Sequence, residues 1–284
     1  MRPTLQAFLA EHGLSVLAWL VPTPGVAYAA MFLALVGLFV HRMRAVGVPF
    51  ARTLDAVVAA AAGALVGTRL YWLILSGDVL RLNPLEWVTS TRGTASWGAY
   101  VGVTLALLLY LRVTRQRPWP HLDAAASCAP LGTVVGRLAC FLEGDDFGRL
   151  SSLPWAVTFP RGSLAFYAHL RGELIPHGSE QSLPVHPLQL YLSANAAVVF
   201  LIVSAVWRRS HDRPGRAVAA YFLAYGATRF LWEFLRDPAA GGATGGLSTS
   251  QWMCLTFVAA GTVLQWWTSR APSSARPAAA TSPS

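Results

Sequence analysis

Apolar residues in this 284-residue chain gather into long, nearly unbroken runs. Seven runs stand out, at about 25–41, 54–75, 96–113, 123–142, 187–206, 217–235 and 250–267. An α-helix needs about 20 residues to cross a hydrocarbon core of about 30 Å, and each run is close to that length. In lipid the backbone must satisfy its own hydrogen bonds, so such runs fold as helices. The pattern predicts an all-α integral membrane protein, a polytopic bundle of about seven transmembrane helices in one domain spanning 1–267.

The polar connections set the expected orientation. Arg42, Arg44 and Arg52 follow the first run, Arg112, Arg115 and Arg117 the third, and Arg208, Arg209, Arg213 and Arg216 the fifth. Arg270 and Arg276 follow the seventh, whereas the intervening connections are mixed or acidic. Cytoplasmic loops collect basic residues, so the N-terminus is expected outside and the C-terminus in the cytoplasm. The longest connection, about 143–186, carries Pro154, Trp155 and Pro160 and reads as an ordered outer-face cap. Residues 268–284, rich in Ala, Pro and Ser, read as a disordered cytoplasmic tail. Pro22 and Pro24 interrupt Leu14–Val21, so no cleavable signal peptide is expected.

Composition agrees with a lipid solvent. Hydrophobic residues make up 54% and charged residues 12%, against about 25% charged in soluble domains. The net charge of +9 would suit nucleic acid, but all 22 basic residues are arginines clustered between apolar runs. That placement is an orientation signal, and no nucleic-acid partner is expected. Cys128, Cys140 and Cys254 lie in apolar segments, too few for a disulfide framework. No metal or cofactor motif is evident.

Ionisable residues within spans are costly and are functional candidates by default. Here they are Arg69, Arg137, Arg229 and Glu233, with His186 at the mouth of the fifth span. In the derived orientation all fall toward the outer face, as do Tyr28, Gln189 and Tyr191. Arg229 and Glu233 are four apart, on one helical face. Bland readings stand beside each: an intrahelical ion pair for Arg229–Glu233, snorkelling for Arg69, an anchor for His186, helix packing for Gly144 and Gly148. Several arginines at one depth favour a bound phosphate, because guanidinium forks hold phosphate oxygens in pairs. A lipid headgroup is the phosphate available there.

At these residues the chain resembles the bacterial phosphatidylglycerol–prolipoprotein diacylglyceryl transferases. The likeness is carried by Gly136-Arg137 through Gly148-Arg149, His186-Pro187-Leu-Gln189-Leu-Tyr191 and Tyr225-Gly226-Ala-Thr-Arg229 through Glu233-Phe-Leu-Arg236-Asp237-Pro238. Gly67-Thr-Arg69, Asn83-Pro84-Leu85, Gly98-Ala-Tyr-Val-Gly102 and Leu247-Ser248-Thr-Ser-Gln251 add weaker matches. The resemblance implies a multi-pass enzyme of the bacterial inner membrane. It would move diacylglyceryl from phosphatidylglycerol to the lipobox cysteine thiol of preprolipoproteins, releasing glycerol phosphate. It implies Arg137, Arg229, Asp145, His186 and Glu233 as catalytic candidates. Substrate-binding candidates are Tyr28, Arg69, Cys140, Glu143, Gly144, Gly148, Gln189, Tyr191 and Arg236. The chain departs from the family at Trp97-Gly98-Ala99, where many members carry His, at Cys140 in place of Asn, and at Asp145 in place of Glu. A base, if the reaction needs one, would be Asp145, Glu143, Asp146, His186 or Glu233. The same departures suit an alternative, a paralogue that binds phospholipid headgroups without transfer or serves another acceptor.

Overall fold

A computed structural model describes residues 24–76, 96–210, 213–238, 243–244 and 246–270. Helices α1 (Pro24–Ala45), α2 (Phe50–Ser76), α3 (Ser96–Val113), α4 (Pro118–Glu143), α5 (Leu164–Arg171), α6 (Leu188–Arg209), α7 (Arg216–Trp232) and α8 (Thr249–Arg270) carry the fold. A 3-10 turn, Glu233–Leu235, follows α7. A small antiparallel hairpin pairs β1 (Ala243–Thr244) with β2 (Leu247–Ser248). All seven apolar runs are helical. Among the described residues Phe50–Ile74, Pro118–Glu143 and Leu188–Arg209 are individually long and apolar enough to cross a membrane, and Gly98–Val113 is a shorter apolar helix. Leu65, Ile74, Val113 and Leu201 each leave 65% or more of their surface uncovered. Apolar side chains facing outward along helices suit a hydrocarbon solvent.

The described chain forms two compact units, residues 38–122 and residues 1–37 with 123–284. In the first, α2 and α3 run antiparallel at very close range. A Cβ on Gly67 would fall 2.1 Å from the Gly98 carbonyl oxygen, and one on Gly102 would fall 2.0 Å from that of Gly63. Only glycine permits such backbone contact, which replaces side-chain packing with dispersion between main chains. Beyond the glycines, Ala56, Leu107 and Leu111 form a small buried core.

The second unit holds α4 to α8. Asp123, near the start of α4, accepts hydrogen bonds from the N–H groups of Gly215 (2.7 Å) and Val218 (3.1 Å). It thereby caps the N-terminus of α7 from another helix, satisfying donors that the helix cannot. Ser193 on α6 donates to the Val134 carbonyl on α4 at 3.0 Å, and Asn195 to Thr228 on α7 at 3.0 Å. Tyr221 stacks on Tyr225 within α7, and Phe222 of α7 stacks on Phe257 of α8, fixing the two helices together. The connection from 144 to 187 is ordered and contains α5, which its apolar pattern did not predict. Ser163 caps α5 by accepting from the Phe166 N–H. Phe147, Phe159, Ala165 and Val185 form this segment's own core.

Candidate functional site

Three turns converge in the second unit: the end of α4, the start of α6 and the end of α7. Each is fixed by its sequence. Gly144, at φ +72°, reverses the chain after α4; a Cβ there would meet Ser163 and Phe159 at 2.8 and 2.9 Å. Residues 147–149 then run extended between two other segments. Gly148 N–H donates to the His186 carbonyl (3.1 Å), Arg149 N–H to that of Leu235 (2.9 Å), and His186 N–H to that of Arg149 (3.0 Å). Gly148 has no room for a side chain, since a Cβ would lie 2.7 Å from the His186 Cβ.

This lashing brings together a ladder of alternating charge. Arg137 on α4 pairs with Asp146, whose other oxygen accepts from Arg236 Nη1 at 2.6 Å. Arg236 Nε also donates to Glu233 Oε2 at 3.1 Å, and Glu233 pairs with Arg229 one turn back. The second Glu233 oxygen accepts from the Ser248 hydroxyl at 2.9 Å. Ser248 and Gln251 cap α8 reciprocally: Ser248 Oγ accepts from the Gln251 N–H, and Gln251 Oε1 from the Ser248 N–H. Three guanidinium and two carboxylate groups leave one net positive charge. Arg229 and Glu233 are buried, 4% and 6% exposed. Burial works against the charge of Asp146, but Arg137 and Arg236 outweigh it and hold that carboxyl below the usual range.

Beside the ladder, the Cys140 thiol and the Asp145 carboxyl are near enough to influence each other. Gln189 is wholly buried and donates from Nε2 to the Asp145 carbonyl oxygen. That bond fixes the amide orientation, because a flipped amide would set oxygen against oxygen. Among the described residues, Gln189 Oε1 and Asp145 Oδ1 are then buried acceptors without a hydrogen-bond donor. Burial, with the nearby charges of Asp146 and Glu143, pushes the Asp145 carboxyl up to about 6. Tyr191 accepts from Trp155 Nε1 at 2.6 Å, lies 3.4 Å from His186 Nδ1, and packs on the Trp232 ring.

Of the residues singled out from sequence, Arg137, Cys140, Gly144, Asp145, Gly148, His186, Gln189, Tyr191, Arg229, Glu233 and Arg236 lie at or beside these three turns. Glu143 ends α4 with an exposed side chain. Tyr28 lies in α1 and Trp97 in α3, their side chains outside the described residues, as is the whole of Asn83-Pro84-Leu85. Arg69 is half-buried on α2, in the other unit. Sequence reasoning weighed Asp146 only as a base and missed its place as the joint of the ladder. Trp155 and Ser248 were named only in the cap and in a weaker family match, not as site residues. The Ser-Thr-Ser-Gln spacing was a readable capping box; nothing local foretold that Ser248 would turn its hydroxyl to Glu233.

The chain is similar in sequence to known proteins over most of its length. Residues 15–267 match the prolipoprotein diacylglyceryl transferase family model. The phosphatidylglycerol–prolipoprotein diacylglyceryl transferase of Paracidovorax citrulli is 32% identical over 217 residues, 74% of either chain. That of Burkholderia thailandensis is 35% identical over 236 residues, covering 76% of this chain and 78% of its own. That of Bordetella avium is 36% identical over 222 residues, 76% and 77% respectively.

Proposed function

This chain belongs to the prolipoprotein diacylglyceryl transferase family, a family of transferases in lipoprotein biosynthesis, and on that premise we propose how its own residues carry out the transfer. The donor is phosphatidylglycerol and the acceptor is the lipobox cysteine of a preprolipoprotein. The observation that carries the reading is the ladder Arg137–Asp146–Arg236–Glu233–Arg229, with its single net positive charge.

A phosphodiester bears one negative charge, and the ladder offers it guanidinium forks within a largely buried setting. The acceptor thiolate attacks the glyceryl carbon that bears the phosphate ester oxygen. The new C–S bond forms as that C–O bond breaks, and the bonding pair departs on the phosphate oxygen. The leaving phosphate gains a second charge, which preorganised arginines stabilise more strongly than they do the donor. Arg137 and Arg229 are the principal groups in this role.

The thiol's proton needs an acceptor, since thiolate is the nucleophile. Asp146 and Glu233 are engaged by arginines, and His186 faces Tyr191. Asp145 is the better base. Among the described residues its Oδ1 has no donor, and a carboxyl near 6 suits proton transfer around neutral pH. Gln189 Oε1 is an acceptor suited to a headgroup hydroxyl, and Tyr191 orients the headgroup. Tyr28 and Arg69 are donor-binding candidates on the family resemblance alone. We place this chemistry at the outer face of the bacterial inner membrane. Seven spans, an outside N-terminus and the 143–186 segment as a cap over the site complete the reading.

The test is to incubate purified protein in liposomes with phosphatidylglycerol and a synthetic lipobox peptide. The peptide should gain one diacylglyceryl mass, and should not when phosphatidylcholine replaces the donor or serine replaces the peptide cysteine. A folded, lipid-binding protein that yields no adduct refutes the proposal.

A further inference from the structure

We propose that Asp146 is an internal counter-anion, occupying Arg137 and Arg236 between turnovers and displacing the glycerol phosphate product from them. The inference rests on the reading of the arginine ladder as the donor-phosphate site, and it deepens that reading by adding Arg236 to the arginines that meet the phosphate.

The geometry separates the two carboxylates of the ladder. Glu233 is buried, with 4% side-chain exposure, and its oxygens are spent on Arg229, Arg236 and Ser248. It braces the arginines. Asp146 instead gives one oxygen to Arg137 and the other to Arg236, bridging two guanidinium groups as two oxygens of a phosphate would. It is also the most accessible member of the ladder, with 30% of its side chain exposed. It can therefore exchange with an arriving anion and be solvated when displaced, which Glu233 cannot.

Backbone conformation holds the carboxylate there. Asp146 has φ +51°, a left-handed conformation that most non-glycine residues avoid. Asp tolerates it better than most residues. The turn at Gly144 and the hydrogen bonds of Gly148 and Arg149 fix the chain on either side.

The chemistry supplies the need. The donor is a monoanion, but the departing phosphate monoester approaches a dianion at neutral pH, its second pKa being about 6. A site that stabilises the leaving group therefore retains it. A tethered carboxylate competes at high effective concentration and so promotes departure of the product. Without Asp146 the same arginines would carry two net positive charges and hold a dianion longer.

The experiment measures binding of glycerol phosphate to the purified full chain in detergent, by calorimetry at fixed ionic strength, for wild type, D146N, D146S, D146E and R137A. Steady-state transfer and the first-turnover burst are followed in parallel. D146N and D146S should bind glycerol phosphate about tenfold tighter, the order expected when a like charge leaves a partly solvated anion site. Their first turnover should persist while the steady-state rate falls and product inhibition strengthens. D146E, which keeps the charge, should stay near wild type. Equal or weaker binding by D146N and D146S would overturn the proposal and make Asp146 a brace like Glu233. If R137A binds glycerol phosphate as well as wild type does, the phosphate site itself is wrongly assigned, and the proposal falls with it.

Discussion

Adding one methyl group at Gly148 should disable the site without unfolding the protein. The alanine Cβ would lie 2.7 Å from the His186 Cβ and 2.8 and 3.0 Å from the carbonyl oxygens of His186 and Leu235. Non-bonded carbons rest at about 3.5–4.0 Å, so the 148 segment must move about 1 Å from its neighbours. The obstructing atoms are backbone or Cβ, and no rotamer change relieves them. A shift of that size takes the 3.1 Å Gly148–His186 bond past hydrogen-bonding range and strains the 2.9 Å Arg149–Leu235 bond beside it. Two weakened bonds at about 1 kcal/mol each, with about 1–3 kcal/mol of overpacking, give a cost of roughly 3–5 kcal/mol. The movement falls between Asp146 and Arg236, whose 2.6 Å pair depends on that register. Misplacement of about 1 Å costs on the order of a hundredfold in rate. The assay is liposomal transfer to a lipobox peptide, with a thermal melt of the same preparation. G148A should fall about a hundredfold in rate and melt at lower temperature while still purifying as folded protein. Wild-type rate and stability would refute the reasoning.

Other expectations follow from the same geometry. D145N should lower transfer by about a hundredfold or more, the usual worth of a general base. In wild type kcat/KM should rise with pH through about 6 as Asp145 ionises, a limb that D145N should lack. A carboxyl raised in the folded state favours folding while protonated and loses that contribution as pH rises, so wild type should lose stability relative to D145N through the same window. G67A, whose Cβ would sit 2.1 Å from the Gly98 carbonyl oxygen, should separate α2 from α3 and lower the melting temperature. An unchanged melt would mean that this helix pair is not held by its glycine contact. W97H should leave transfer intact or raise it, and complete loss of turnover would reveal an essential contact at Trp97.

The helices were legible because lipid leaves the backbone one economical solution: any apolar run near 20 residues must bond to itself. Their ends were less so. α2 begins at Phe50 rather than 54, directly after Pro49, whose carbonyl accepts the Thr53 hydroxyl. α7 stops at Trp232, before the expected 235, and the tighter 3-10 turn lets Glu233 reach both Arg229 and Arg236. The pairing of Arg229 with Glu233 was readable from their spacing alone. Asp146 was not, because its partners lie 9 and 90 residues away and meet it only through the lashing of Gly148. The helix α5 was hidden in a mixed segment, where a serine cap and the burial of Phe166 decide more than periodicity does.

The assignment of the arginine ladder to the donor phosphate is tested most directly by the mass of a lipobox peptide after incubation with phosphatidylglycerol and wild type, R137A or R229A, each shown to be membrane-inserted. Wild type should add one diacylglyceryl group per peptide, and the two variants should add none detectable. Turnover by R137A or R229A at the wild-type rate would contradict it.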